Sequence, residues 1–323
     1  MPDRLLLTLD GATRVCAAAL MRPRPAAGGG EPGGRGWEVV ARRVERDGRG
    51  QAKILLRLVD GMLAELGRGP EDLGAIVVGT GPGTFTGVRI AVATGRALSL
   101  ALGIPVLGVS TLAALAAGAA LQDRARAAAL GTAPAGAIVP VVDAHRGQVF
   151  YGLYVAAPAA PIPREGRDRD GLSSLVYVRS APLDVCGRGS LRAVVDRLDV
   201  PETTKLLVVA EEPALVGDLP AGALLMTAGV EPEALVVGQD VLVEPGEDLQ
   251  GRALVDWLVR ALEQTRPVPP EPSAGIGAGP GGPGTPESVT PLYVRSPDAD
   301  THILKMRDPF GGDSAGQGAV EQR

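Results

Sequence analysis

Four glycines within twelve residues mark the segment best suited to chemistry: Gly79, Gly81, Gly83 and Gly87 in GTGPGTFTGVRI, residues 79–90. The loop joins an apolar run at 75–78, read as a buried strand, to a helical stretch at 86–102. Glycines let backbone amides approach an anion, and a helix N-terminus adds partial positive charge, so one reading is a phosphate cradle. The spacing departs from both phosphate-binding fingerprints, because no lysine follows and the glycine after Gly81 and Gly83 falls at 87. The other reading is a tight turn. Its glycines permit positive φ and close packing, with Thr84 or Thr86 capping the helix.

Asp10 and Asp143 each end an apolar strand, where carboxylates can hold a metal–phosphate complex between two lobes. Each also suits a turn in which the side chain caps local amides. His145, two residues past Asp143, offers an acid–base pair, but no motif places a nucleophile beside it. The chain has two histidines, His145 and His302, and two cysteines, Cys16 and Cys186. That argues against a histidine-rich metal site, a zinc ribbon or a disulfide framework.

The elements that must position these residues appear as periodicities. Apolar runs at 5–9 and 15–21 flank the turn at Asp10-Gly11, and 37–44 reads as a third strand. Ile54, Leu55, Leu58, Val59, Met62, Leu63 and Leu66 recur at helical spacing over 51–66. A strand at 105–109 and a helix opening at Ser110-Thr111 complete the order βββαβαβα through residue 121, an α/β half-domain. A second half opens the same way. IVPVVDAHRGQVFYGLYV follows LLLTLDGATRVCAAAL in pattern: apolar strand, Asp, short turn, apolar strand. This points to a duplicated fold. Further on, 164–171 reads as a charged extension, 205–209 and 223–226 as strands, 251–262 as a helix and 292–295 as a last strand. The helix at 86–102 carries two strips of small residues, Ala91, Gly95 and Ser99, and Ala93, Ala97 and Ala101. Either one strip faces the sheet and the other a partner, or both pack internally.

Composition sets the remaining bounds. Of 323 residues, 45 are Gly and 28 Pro, yet 45% are apolar, which fits a folded core with insertions. The Gly/Pro-rich segments 23–36 and 267–286 read as disordered insertions. The expected organisation is an N-terminal half at 1–122, a C-terminal half at 137–306 interrupted by the 267–286 linker, and a disordered tail at 307–323. A net charge of −5 argues against a broad phosphate-gripping surface. Residues 97–121 carry no charge, but Gly103, Pro105 and Gly108 interrupt them, so they read as buried elements and not a membrane span. With no signal peptide pattern at the N-terminus, the expected location is the cytoplasm.

The blocks VVGTGPGTFTGVRIAVATGRALSLALGIPVLGVSTLAALA, VVDAHRGQVFYGLY and PLYVR resemble the TsaB family, a bacterial component of the tRNA threonylcarbamoyladenosine machinery. The resemblance covers most of 4–155 and, more thinly, patches out to about 300. It implies an actin-like, sugar-kinase-like (ASKHA) architecture, α/β and duplicated into two βββαβα-type halves. It also implies a non-catalytic dimerisation subunit, without catalytic residues or a metal site. The partner in the family is TsaD, the related subunit that carries the metal and transfers threonylcarbamoyl onto N6 of adenosine 37 of tRNA. TsaE, the ATPase component, is a further implied partner. The implied cofactor set for this chain is none, with ATP or ADP acting at partner subunits and tRNA reached through the complex. The family's first two long helices pair with those of TsaD, which on this chain are 51–66 and 86–102. Ile54, Leu58, Met62, Val88, Ala91, Val92 and Gly95 are the resulting interface candidates, and self-association through the same helices is open. Asp10, Gly81, Gly83 and Asp143 are the candidate nucleotide contacts. Two departures weaken that role: Asp10-Gly11-Ala12 replaces the family's Asp-Thr-Ser or Asp-Thr-Ala, and Ala210-Glu211-Glu212 stands where glycine-rich sequence is usual. An ATP-dependent phosphotransferase of the sugar-kinase type is the alternative function, resting on Asp10, Asp143 and the glycine loop.

Overall fold

The computed structural model describes residues 4–23, 37–46, 51–158, 175–197, 200, 203–237, 242–243, 262 and 284–292. The insertion expected at 23–36 (Pro23 apart), the charged extension at 164–171 and the helix at 251–262 (Leu262 apart) lie outside these residues. So do the linker before Gly284, the last strand beyond Leu292 and the tail.

In the first half, β1 (Leu5–Asp10), β2 (Cys16–Pro23) and β3 (Trp37–Glu45) pair antiparallel. Next to β1, β4 (Leu73–Gly79) and then β5 (Val106–Val109) add in parallel, giving the order β3-β2-β1-β4-β5. The helices are α1 (Gln51–Glu65), α2 (Phe85–Leu102) and α3 (Thr111–Leu130), so the order βββαβαβα read from the sequence is the one observed. All six residues of β1 are buried because both faces of the sheet are covered. Successive side chains alternate between faces. Leu5, Leu7 and Leu9 join Leu55, Met62, Val88 and Val92 in a core under α1 and α2, while Leu6 joins the core on the opposite face.

Local signals set the helix ends. Thr84 caps α2 by accepting the Gly87 N–H at 3.2 Å, and Gly103 closes it with φ 63°. Ser110 caps α3, and Gly131 ends it at φ 65°. The boundary expected at 122 therefore falls inside α3, which continues to Leu130.

The second half repeats the topology. Its elements are β6 (Ala137–His145), β7 (Gln148–Pro158), β8 (Leu175–Gly187), α4 (Leu191–Val195), β9 (Leu206–Ala210), β10 (Leu224–Thr227), α5 (Ala234–Val237) and β11 (Leu242–Val243). Strands β8-β7-β6-β9-β10 match β3-β2-β1-β4-β5 in order and in pairing sense, with β11 added parallel to β8. The duplication is therefore a property of the whole sheet and not of the opening hairpin alone. Between β9 and β10 a single 3-10 turn, Pro213–Leu215, stands where the first half has α2.

The core that Leu6 joins lies between the two sheets. Here α3 packs against β6, β7 and β9 of the second sheet and against α5, while α5 reaches β4 of the first. Ala113, Ala114, Ala116, Ala117, Ala119 and Ala120 of α3 are all buried there. Residues 284–292 return along the first half: the Val106 N–H donates to the Gly284 carbonyl at 3.1 Å, the Leu292 N–H to that of Thr80 at 2.7 Å, and Val289 is buried. By length and composition α2 could cross a membrane, but its Val88, Ala91, Val92 and Gly95 face is buried in the core.

Candidate functional site

Asp10 ends β1 at the centre of the first sheet and is 1% exposed. Its Oδ1 accepts the Ala12 N–H at 2.9 Å, and its Oδ2 accepts the Thr111 hydroxyl at 3.0 Å. Thr111 Oγ1 in turn accepts the Gly81 N–H at 3.1 Å, and the Thr111 N–H donates to the Gly81 carbonyl at 2.7 Å. Asp10 thus clips the end of β1 to the glycine loop and the first turn of α3. Burial pushes its pKa up from 3.8 to about 6, against the lowering effect of the Ala12 and Thr111 hydrogen bonds, and Glu211 adds repulsion.

The glycine loop is fitted closely to this clip. A Cβ on Gly79 would collide with the Asp10 carboxylate, and one on Gly83 with the Ala12 carbonyl. Gly81 has φ +90°, a conformation that L side chains rarely adopt. The amides of Thr80, Gly81 and Thr84 donate inward, to Val109, Thr111 and Ala12 respectively. These three amides are committed to the fold, as the tight-turn reading of the loop requires.

Asp143 occupies the equivalent place near the end of β6. Its Oδ1 accepts the His145 N–H at 2.8 Å, repeating the Asp10–Ala12 bond two residues on, and also accepts Arg188 Nη2 at 2.8 Å. Arg14, from the turn after β1, crosses to Asp143 Oδ2 at 3.7 Å and to Glu212 at 3.9 Å. Burial raises the pKa of Asp143, but the Arg188 and His145 hydrogen bonds and their charges outweigh it and hold the carboxyl below its ordinary value. Glu211, the next acid in this cleft between the halves, is raised chiefly by burial, with Glu212 adding to the shift and a Thr13 hydrogen bond opposing it. His145 Nδ1 lies 3.5 Å from Asp143 Oδ2, so the acid–base pair exists as a contact. His145 and Arg146 have φ 61° and 53°, a strained left-handed pair at the mouth of the cleft. The structure brings Asp143 and His145 together with Arg14, Arg188 and Glu211. The hydrogen bonds of Asp10 and the Gly81 amide run instead to Ala12 and Thr111, and Asp10 meets that cluster through repulsion from Glu211. Among the described residues no group of three or more His, Cys, Asp or Glu side chains is placed to hold a metal.

The interface candidates need correction. Ile54, Met62, Val88, Ala91, Val92 and Gly95 are buried in the chain's own core, and Leu58 is half-buried against it. A Cβ on Gly95 would collide with Val78, which shows that this strip faces β4. The opposite strip, Ala93, Ala97 and Ala101, is the exposed one, flanked by Leu100 at 67% exposure and Phe85 at 42%. On α1, Leu56 and Ala64 face outward. Thr111, Arg14 and Arg188 were not among the sequence candidates. Ser110-Thr111 carried only a helix-cap signal, and no spacing links Thr111 to Asp10.

Residues 45–159 match the family model for TsaD, described as tRNA N6-adenosine threonylcarbamoyltransferase. The chain is 42% identical over 96 residues to the tRNA threonylcarbamoyladenosine biosynthesis protein TsaB of Bacillus subtilis, covering 30% of this chain and 37% of that one. It is 29% identical over 151 residues to TsaB of Escherichia coli, covering 46% and 54%. An uncharacterised protein of Mycobacterium tuberculosis is 33% identical over 149 residues, covering 46% and 58%. The chain thus spans about half the length, or less, of the curated relatives it matches. Among solved structures, YeaZ from Pseudomonas aeruginosa aligns with 83% of this chain and 100% of its own, at 24% identity and a TM-score of 0.49. The matched sequence thus makes the chain similar to the TsaD family model over residues 45–159 and to TsaB proteins over about half of their length or less, and its two sheets share one duplicated α/β topology.

Proposed function

We propose that this chain is a non-catalytic subunit of a tRNA threonylcarbamoyladenosine-forming complex. It docks a TsaD subunit on the outward faces of α1 and α2 and supports that subunit's transfer of threonylcarbamoyl to N6 of adenosine 37. The observation that carries this reading is the solvent face of α2, where Ala93, Ala97 and Ala101 line up at four-residue spacing beside the exposed Leu100. Small side chains in such a row let a partner helix approach at the short end of the 8–10 Å interaxial range. The α1–α2 pair also lies within the block that matches the TsaD model, so the partner would present helices built on the same plan.

The engagement of the two aspartates within the fold supports the non-catalytic part. Both oxygens of Asp10 accept internal hydrogen bonds, and Asp143 is engaged by Arg188 and the His145 amide. ATP or ADP then acts at partner subunits, TsaE joins as a further partner, and tRNA is reached through the assembled complex in the cytoplasm.

Gel filtration of the chain mixed with TsaD from the same organism, at micromolar concentration, tests the reading. A stoichiometric complex is expected, and separate elution with and without nucleotide refutes it. Calorimetric titration of the isolated chain with Mg-ATP tests the other half. Strong binding with turnover would establish the phosphotransferase alternative.

A further inference from the structure

Each sheet has two edges, and later chain covers one edge of each. In the first sheet the outer edge of β5 is met by the returning chain, with the Val106 N–H on the Gly284 carbonyl at 3.1 Å. In the second, β11 pairs along β8. Among the described residues no further strand pairs with the outer edges of β3 and β10. These two edges differ in kind. Glu38, Arg42, Arg43 and Glu45 put charge along β3. By contrast β10 is LLMT, and no residue from Leu219 to Val230 is charged. Leu224 is 39% exposed and Leu225 41%, so apolar surface is bared on both faces of the strand. Edge strands are ordinarily blunted by charge, proline or a bulge, and an unblunted apolar edge is a template for another strand.

Charge selects the occupant. From Leu206 to Gly251 the sequence holds nine Asp or Glu and no Lys or Arg. Arg42 pairs with Glu231 and Glu233, and Arg14 with Glu212. Asp218, exposed before the turn into β10, has no ion pair among the described residues. A second copy docked edge to edge would set like charges against each other, so the edge suits a cationic strand. The sequence contains such a segment in HILKMR, residues 302–307. Extended, it places Leu304 and Met306 on one face and Lys305 and Arg307 on the other. The reach is sufficient. Leu292 donates to the Thr80 carbonyl in the glycine loop, and Thr84 of that loop lines the cleft with Glu211. Ala228, the residue after β10, donates to the carbonyl of Ala210, the neighbour of Glu211. Both ends therefore lie beside the cleft, and the ten residues from Leu292 to His302 extend to about 33 Å.

We propose that residues 302–307 add to the outer edge of β10 as an antiparallel strand. The segment enters at the Thr227 end beside the cleft and carries Lys305 and Arg307 toward Asp218. It caps an edge that would otherwise pair with other chains. The proposal is independent of the docking role of α1 and α2.

The test is hydrogen exchange of the full-length chain, read by mass spectrometry at residues 224–227. The amides of Val106–Val109 in β5 are the reference, and each sample is also run on gel filtration. Leu304→Pro/Lys305→Pro removes two successive donors, one of which faces β10 whatever the register. Lys305→Glu/Arg307→Glu reverses the charge. The wild type is expected to elute as a monomer. In both variants alternate amides of 224–227 are expected to exchange about tenfold or more faster, with β5 unchanged. If the proline variant also speeds exchange in β5, the charge-reversal variant decides. Exchange at β10 within about twofold of wild type in both variants overturns the proposal. So does a wild-type dimer that keeps β10 protected in both variants, which assigns the edge to a second copy. A dimer whose protection is lost in the variants places the segment on the neighbouring copy and overturns the intramolecular arrangement.

Discussion

Replacing Asp10 by asparagine separates the charge of this residue from its shape. The buried carboxyl has its pKa raised from 3.8 to about 6, so the folded state holds its proton more tightly than the unfolded chain. The stability from this group is fully present below pH 3.8 and is lost as pH rises through about 6. Linkage puts the loss at about 1 kcal/mol near pH 4.5 and about 3 kcal/mol near pH 7.5. The asparagine side chain does not ionise and carries no such dependence. It does turn an amide toward the Thr111 hydroxyl, which already accepts from Gly81, at a pH-independent cost of about 1 kcal/mol. Asp10→Asn is therefore expected to be neutral near pH 4.5 and to stabilise by about 2 kcal/mol near pH 7.5. Urea unfolding of both proteins at the two pH values measures this. Taking the difference between them largely cancels the other titrating groups, with Glu211, the acid that repels Asp10, as the main residual coupling. A stability difference that is the same at both pH values would refute the assignment of a buried, protonatable Asp10.

Two further outcomes follow from the two sides of α2. Gly95→Ala is expected to destabilise the fold by about 1–3 kcal/mol in urea titration, because its Cβ would collide with Val78 inside the core. Ala97→Arg, on the exposed strip, is expected to change stability by less than about 0.5 kcal/mol while abolishing co-elution with TsaD; retained co-elution would place the interface elsewhere.

The first half of the fold was legible because its strands are largely apolar runs that end in turn residues, α1 shows helical periodicity, and α2 and α3 begin at the Thr84 and Ser110 caps. β8 was harder to see: Arg179, Pro182 and Asp184 break its apolar pattern, and its place is set by long-range pairing with β7. The continuation of α3 past 121 was hidden by Asp123 and Arg124, which look solvent-facing in sequence. Asp123 is buried, accepting the Ala135 N–H at 2.5 Å and Lys205 Nζ at 3.2 Å, and Arg124 lies over Tyr177. Partners so distant in the chain leave no local signal. The interface side of α2 was ambiguous for a different reason. Its inward and outward strips are both built from small residues, and only contact with Val78 distinguishes Gly95 from Ala97. In the site, the two aspartates were found, but their roles as turn clips depend on Thr111 and Arg188, which spacing does not connect to them.

The crossed placement of α3 and α5 makes the two halves interdependent. Each supplies the helix that covers the other's sheet, so neither sheet can shield its inner face from water by itself. Cutting the chain between Leu130 and Ala137 would leave two fragments, each with a bared apolar surface. The pieces should gain structure only when mixed, and the intact protein should melt in a single transition despite its internal repeat. Duplication here has produced one folding unit and not two.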